Sequence, residues 1–267
     1  MIDKTIEATR IFWNLNPCDG QKDVTQRMRF RYQKEPWLAK ILEYVVSRNG
    51  ALLEVGCGQG TDGIYLCSLK KEGSYTGIDI SDKSIDKARE AVGQFTDKLA
   101  IVPVYKTGNA ECLEFPDASF DTVYSCGVLH HSPDTQKAVE EIHRVLNKGG
   151  RGYIYLYRTA SPKVFTAHVM RFISRVVDSI TFQDRLLWNI INKFGSNHSF
   201  GTMILECFGV PILRSYTKSQ ISKMFSIFQD LEIVVSGIGI PGTDINKMLD
   251  NHGSRFWGTM WQIICKK

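Results

Sequence analysis

The chain has 267 residues, 43% of them hydrophobic and 23% charged, with a formal net charge of +5. This is the length and balance of a soluble globular protein, either one large domain or one domain carrying an insertion. No Lys/Arg run exceeds a pair such as Lys70-Lys71, which argues against a nucleic-acid groove, and no stretch approaches the roughly 18 apolar residues of a membrane span.

Residues 1–48 read as a helical cap. Within it, Pro36-Trp37-Leu38-Ala39-Lys40-Ile41-Leu42-Glu43-Tyr44-Val45-Val46 has apolar residues at helical spacing, with Pro36 suited to a first turn. A strand is expected at 51–55, a helix at 61–71 and a second strand at 75–80. Ser81 or Asp82 can cap a helix over 82–95. A third strand is expected at 100–107 and a fourth at 120–126. The next helix, 134–147, opens after Ser132-Pro133-Asp134 and is expected to close on Lys148-Gly149-Gly150 as a glycine C-cap, before strand five at 152–157. From Arg158 to Ser215 the strand–helix alternation stops. There Val164, Phe165, His168, Val169, Phe172, Ile173, Val176, Val177 and Ile180 form a helical stripe, and Leu186, Leu187, Ile190 and Ile191 mark a second amphipathic helix. A helix at 217–228 and strands at 230–238 and 256–265 complete the chain.

The pattern predicts an α/β fold: a doubly wound, Rossmann-like, seven-stranded sheet, mostly parallel, with an antiparallel last strand. The sheet domain would comprise 49–158 and 216–267. The insertion, 159–215, would either fold over the carboxyl edge as a helical lid that supplies the substrate pocket or merely pack its helices on each other and on the sheet.

The most informative stretch joins the first two strands. Ala51-Leu52-Leu53-Glu54-Val55 runs into Gly56-Cys57-Gly58-Gln59-Gly60, and Tyr75-Thr76-Gly77-Ile78-Asp79-Ile80 follows the helix. Glycines there let a nucleoside lie against bare backbone, and Asp79 at the strand tip can accept ribose hydroxyls. A dinucleotide fingerprint needs its third glycine at position 61, which is Thr61. The pattern here is instead G-x-G-x-G, preceded by Glu54.

Glu54-Val55-Gly56-Cys57-Gly58-Gln59-Gly60 resembles motif I of the class I S-adenosylmethionine (SAM) methyltransferases. The resemblance runs from about residue 36 to 157 and falls in the small-molecule branch, the type 11, UbiE-like group. Gly108-Asn109-Ala110-Glu111 occupies the slot of the family's G-D-A, with Asn109 in place of the acid that meets the adenine amine. Phe115-Pro116-Asp117-Ala118-Ser119-Phe120-Asp121, Ser125-Cys126-Gly127-Val128-Leu129-His130-His131 and Glu141 to Gly150 match the links into and out of strands four and five. The resemblance implies SAM as cofactor, S-adenosylhomocysteine as product, and Glu54, Gly56, Cys57, Gly58, Asp79, Ile80, Asn109, Ala110, Glu111 and Cys126 as cofactor-binding residues. Phe12-Trp13-Asn14-Leu15-Asn16-Pro17-Cys18 resembles an opening found in some bacterial methyltransferases, where an N-terminal helix covers the cofactor. In that arrangement Trp13, Phe30 or Tyr32 can cover a sulfonium and Arg31 can meet the methionine carboxylate.

Methyl transfer from a sulfonium asks for a held nucleophile, exclusion of water and sometimes a base. His131, with His130 in reserve, lies at the exit of strand four and is the candidate base; the alternative is that both only shape the turn. No metal site is expected, because no third ligand has recognisable spacing. Cys57 and Cys126 are expected as small packing residues. The seven cysteines contain no C-x-x-C, which fits a reducing cytoplasm.

The leading reading is a SAM-dependent methyltransferase for a small, largely apolar acceptor: lipid-like, isoprenoid, polyketide or aromatic. An NAD-binding oxidoreductase and a non-catalytic SAM-binding protein are the alternatives. No nucleic-acid partner is expected, because the N/D-P-P-Y/F motif is missing after strand four. Peripheral membrane contact through the 164–180 stripe is open, and the sequence gives no oligomeric state.

Overall fold

The computed structural model describes residues 5–17, 23–194, 202–237 and 257–267. Cys18 and Phe256, both named above, lie outside the described residues.

Three helices come first: α1 (Ile6–Leu15), α2 (Val24–Lys34) and α3 (Pro36–Val46). Thr5 caps α1 by accepting from the Ala8 N–H, Asp23 caps α2 through Thr25, and Pro36 opens α3, where its missing N–H costs nothing. The alternating unit follows as β1 (Ala51–Val55), α4 (Thr61–Leu69), β2 (Ser74–Asp79), α5 (Asp82–Phe95), β3 (Val104–Thr107), β4 (Phe120–Cys126), α6 (Thr135–Val145) and β5 (Leu146–Tyr157). Beyond it lie α7 (Pro162–Thr181), α8 (Leu186–Phe194), a short turn α9 (Thr202–Ile204) running into a π-turn (Leu205–Gly209), α10 (Lys218–Met224), β6 (Asp230–Ser236) and β7 (Met260–Lys266).

The seven strands form one sheet in the order β3-β2-β1-β4-β5-β7-β6. The strands β1 to β5 are mutually parallel, and β7 runs antiparallel between β5 and β6. Parallel strands are covered on both faces, so their side chains are apolar in both directions. Leu53, Val55 and Val123 pack with Ala138, Val139 and Ile142 of α6 and with Ile221 of α10. On the other face Leu52 and Tyr124 pack with Leu38 and Leu42 of α3, Leu66 of α4 and Ile85 of α5. The strand order reverses between β1 and β4, which opens a crevice at their carboxyl ends, where such sheets bind ligands.

Two local expectations are corrected. Strand three begins at Val104 rather than at 100, because Pro103 has no N–H for the ladder; Ala100 and Ile101 instead donate to the Cys67 carbonyl at 3.0 and 3.3 Å. The pair Gly149-Gly150 does not cap α6. That helix ends at Val145 on an extended Leu146, and both glycines lie inside β5, beside an irregularity in its pairing with β4. Gly149 takes φ +78° there and donates to the Lys267 carbonyl at 2.7 Å.

Candidate active site

The crevice holds a cavity of about 220 Å³. Its floor is the loop between β1 and α4. The N–H groups of Gly56 and Cys57 both donate to the Ile78 carbonyl, at 2.7 and 2.9 Å, so the loop is fastened to the end of β2. Gly56, Gly58 and Gly60 all have positive φ. A Cβ on Gly56 would strike Val128 and one on Gly60 would strike Tyr105 and Ala88, whereas a Cβ on Gly58 would meet open space within the cavity wall. Gly56 and Gly60 are therefore required by both backbone and packing, and Gly58 by its backbone, with open cavity where a side chain would stand.

Asp79 braces this cradle. One carboxylate oxygen accepts from the Gly58 N–H and the other from the Ser81 N–H, both at 2.8 Å. Burial raises its pKa, opposed by the N–H donors of Ser81, Gly58 and Ile80. Each oxygen keeps a lone pair for a ligand hydroxyl. Asn109 and Ala110 line the far wall, where the Asn109 side-chain Oδ1 accepts from the Glu111 N–H at 2.9 Å.

Acids crowd the opposite end. Glu54 is buried, accepts a short hydrogen bond from Tyr75, and is pushed up to about 8 by burial and by the Asp62 charge. Asp62, in the first turn of α4, is gripped by Arg31 through two parallel bonds of 2.7 Å, and also accepts from Tyr32 and Tyr124, each at 3.1 Å. The Arg31 fork is thus engaged on one edge, leaving Nη1 for a ligand carboxylate.

The fold is shared with solved structures. A SAM-dependent methyltransferase from Thermotoga maritima superposes with a TM-score of 0.55 at 15% identity, covering 97% of this chain and 99% of that one. The cyclase SpnF gives 0.58 at 17% identity, covering 98% and 97%. Identities this low speak for the fold alone. The sequence decides the family: residues 53–154 match the family described as a methyltransferase domain. These residues form a class I SAM methyltransferase domain.

Two curated relatives align over the same domain. A 27-O-demethylrifamycin SV methyltransferase from Amycolatopsis mediterranei is 35% identical over 102 residues, 38% of this chain and 36% of that protein. A fatty-acid O-methyltransferase from Mycolicibacterium smegmatis is 33% identical over 112 residues, 42% and 38% respectively. The chain spans about a third to a half of the length of the curated relatives it matches. The methyltransferase match displaces the NAD alternative, and Asp62 supplies a physical reason. An acid in the first turn of α4 lies in the cavity wall, where a pyrophosphate would need that helix N-terminus.

Of the residues expected to bind the cofactor in the methyltransferase domain and its cap, Glu54, Gly56, Cys57, Gly58, Asp79, Ile80, Asn109, Ala110, Cys126 and Arg31 line the cavity. Tyr32 and Glu111 do not. Tyr32 lies against Tyr65, with its hydroxyl on Asp62. Glu111 turns away to accept from the Ser132 hydroxyl and from the Asp134 N–H, tying the turn after β3 to the exit of β4. Phe30 is exposed and does not line the cavity, whereas Trp13 is in the wall. Burial raises the Cys57 thiol and pushes Cys126 up to about 12, so neither is a thiolate nucleophile at neutral pH.

The two histidines separate. His130 is fully buried, stacks on Tyr157 at 3.8 Å between centroids, has no hydrogen-bond partner on either ring nitrogen among the described residues and does not line this cavity. His131 lines the cavity beside Trp13, with ring centroids 5.4 Å apart. Its Nδ1 lies 2.8 Å from the Ile212 carbonyl, which can only accept, so Nδ1 carries the proton and Nε2 the free lone pair. Burial lowers its pKa, keeping the ring neutral at pH 7.

The insertion contributes little to the wall. Among the described residues of 159–215, Lys163 is the one that lines the cavity; α1, the end of β5 and the residues Thr259 and Met260 at β7 occupy the place expected of the lid. Sequence reasoning also missed a buried cluster behind Tyr157. Its hydroxyl donates to Glu206 on the π-turn, and Lys163 Nζ lies 3.3 Å from the same carboxylate. Asp62 and Tyr157 could have been found from position, one opening the helix after the glycine loop and the other ending a parallel strand. Nothing local marks Glu206.

Proposed function

We propose that the chain is a SAM-dependent methyltransferase acting on a small, largely apolar acceptor. The carrying observation is that one cavity joins the glycine cradle and its acids to an end walled by Trp13, Tyr157 and Met260, with His131 between them. The fit to SAM rests on the residues present. Asp79 suits a ribose, Gly58 leaves room for a ligand against backbone, Asn109 and Ala110 suit an adenine edge, and Glu54 with Asp62 suits a cation. SAM when bound supplies an electrophilic methyl group.

The protein's own task is then positional. Trp13 and the other residues of the N-terminal helices close the cradle and exclude water, which strengthens every charge interaction inside. His131 Nε2 takes a proton from an acceptor hydroxyl or amine; its lowered pKa keeps it in the base form. The curated relatives named for rifamycin and fatty-acid methylation support an acceptor of this apolar class.

The test is transfer of a labelled methyl group from SAM by the full chain to a panel containing a long-chain carboxylic acid, a phenol and a hydrophobic amine. Turnover with one of them, and formation of S-adenosylhomocysteine in step, supports the reading. Tight SAM binding with no transfer to any of them would favour the non-catalytic alternative.

A further inference from the structure

The outward face of α7 is more apolar than the face it buries. Its buried positions are Val164, Ala167, Arg171 and Ser174, a row of small and polar side chains. Arg171 there donates to the carbonyls of Glu206, Val210 and Pro211. The opposite row is Phe165, Val169, Phe172, Ile173, Val176 and Ile180, each between 36% and 71% exposed. At about 100° per residue, these six fall within an arc of about 100°. Phe182, just past the helix, is 94% exposed and held at φ +54°, a backbone region that a bulky side chain enters only at a cost. Ile190 on α8 adds to the exposed apolar surface of the hairpin. Single exposed apolar residues are ordinary; a continuous row ending in an extruded phenylalanine marks an interaction surface.

The charge of the same hairpin narrows the occupant. Of the five cations in residues 162–194, Arg171 is buried, Lys163 pairs with Glu206 and Arg185 donates to the Gly209 carbonyl, so the exposed face presents Arg175 and Lys193 against Asp184. A second copy docking through this face would bring like charge against like. An anionic bilayer would not, and it accepts an apolar helical face lying in its interface. The surface is also continuous with the site. Lys163 lines the cavity, Phe165 is already on the exposed row, and α7 extends away from there for 20 residues, about 30 Å.

We propose that the exposed face of α7, with Phe182 at its tip, docks the protein onto an anionic lipid surface. Docking needs no catalysis. Its corollary, that an amphiphilic acceptor enters the cavity from that surface, rests on the methyl-transfer reading above.

Vesicle co-sedimentation of the full chain tests this, with phosphatidylcholine vesicles alone or with a third of the lipid replaced by phosphatidylglycerol. The expected result is at least about tenfold tighter partitioning onto the anionic vesicles, weakened by salt. Phe172→Ser with Ile180→Ser should lower partitioning by about tenfold or more, with S-adenosylhomocysteine affinity unchanged by calorimetry. Arg175→Glu with Lys193→Glu should remove the preference for the anionic lipid while leaving the apolar row intact. Wild type that stays in the supernatant, or serine variants that partition like wild type, would overturn the proposal. So would a dimer in sedimentation velocity that the serine variants dissolve, which would assign the face to a second copy. A chain that binds S-adenosylhomocysteine but no vesicles sinks docking alone; one that binds vesicles but no S-adenosylhomocysteine sinks the methyl-transfer reading alone.

Discussion

Glu54→Gln isolates the acid at the heart of the cradle. With its carboxyl pushed up to about 8 by burial and the Asp62 charge, Glu54 favours the protonated form in the free protein near neutral pH. A cation placed beside it favours the ionised form, so SAM binding should expel close to one proton there. Affinity for SAM therefore rises with pH while Glu54 is still protonated in the free protein, and falls as pH drops. The Gln variant keeps an acceptor for the Tyr75 hydroxyl and loses the titration. Calorimetry at pH 7 in buffers of different ionisation heat counts the protons released. Wild type should release more protons on binding than the variant, and the difference should shrink as pH rises. The ligand's own amine, near 8, titrates against both proteins and cancels in the comparison. Equal proton release from the two, or a wild-type affinity that changes with pH no differently from the variant's, would refute the assignment of Glu54 to the cation.

Gly58→Leu should abolish S-adenosylhomocysteine binding in calorimetry while the thermal melt stays cooperative, since the new side chain enters the cavity rather than the core. His131→Ala should lower kcat by roughly 10² to 10⁴ with SAM affinity nearly unchanged, and flatten the acid limb of the pH–rate profile, if the acceptor must lose a proton. His130→Phe should keep turnover and hold or raise Tm, because it removes two buried nitrogens that have no hydrogen-bond partner among the described residues. Arg171→Met should cost about 3 kcal/mol in urea unfolding, since three carbonyls around the π-turn lose their common donor.

The cofactor half was legible because its signals are local. Glycines at fixed offsets, an acid at a strand tip and caps such as Ser81 and Asp134 act within a few residues of where they are read. The misreadings concern what a surface faces. Periodicity along α7 locates an apolar row but not its partner, so a face turned to solvent read as a lid. Two adjacent histidines carry one positional signal, and only the packing of Tyr157 over one ring and the Ile212 carbonyl behind the other separates them. Glu111 sits in a motif slot, yet it answers to Ser132 and Asp134, more than twenty residues away. Gly149-Gly150 has the composition of a helix stop, and tertiary pairing uses it within a strand instead.

The placement of β7 between β5 and β6 has a consequence for how the molecule comes into being. Among the described residues β6 pairs with β7 alone, which is synthesised after it. A nascent chain that has finished β6 therefore displays an unpaired strand and an open β5 edge, and chaperones or like strands can capture both. The same late strand carries Met260 into the cavity wall, with Thr259 just before it. Closure of the sheet and completion of the pocket are one event, so a ribosome-bound intermediate can own a cofactor cradle before it owns a place for the acceptor.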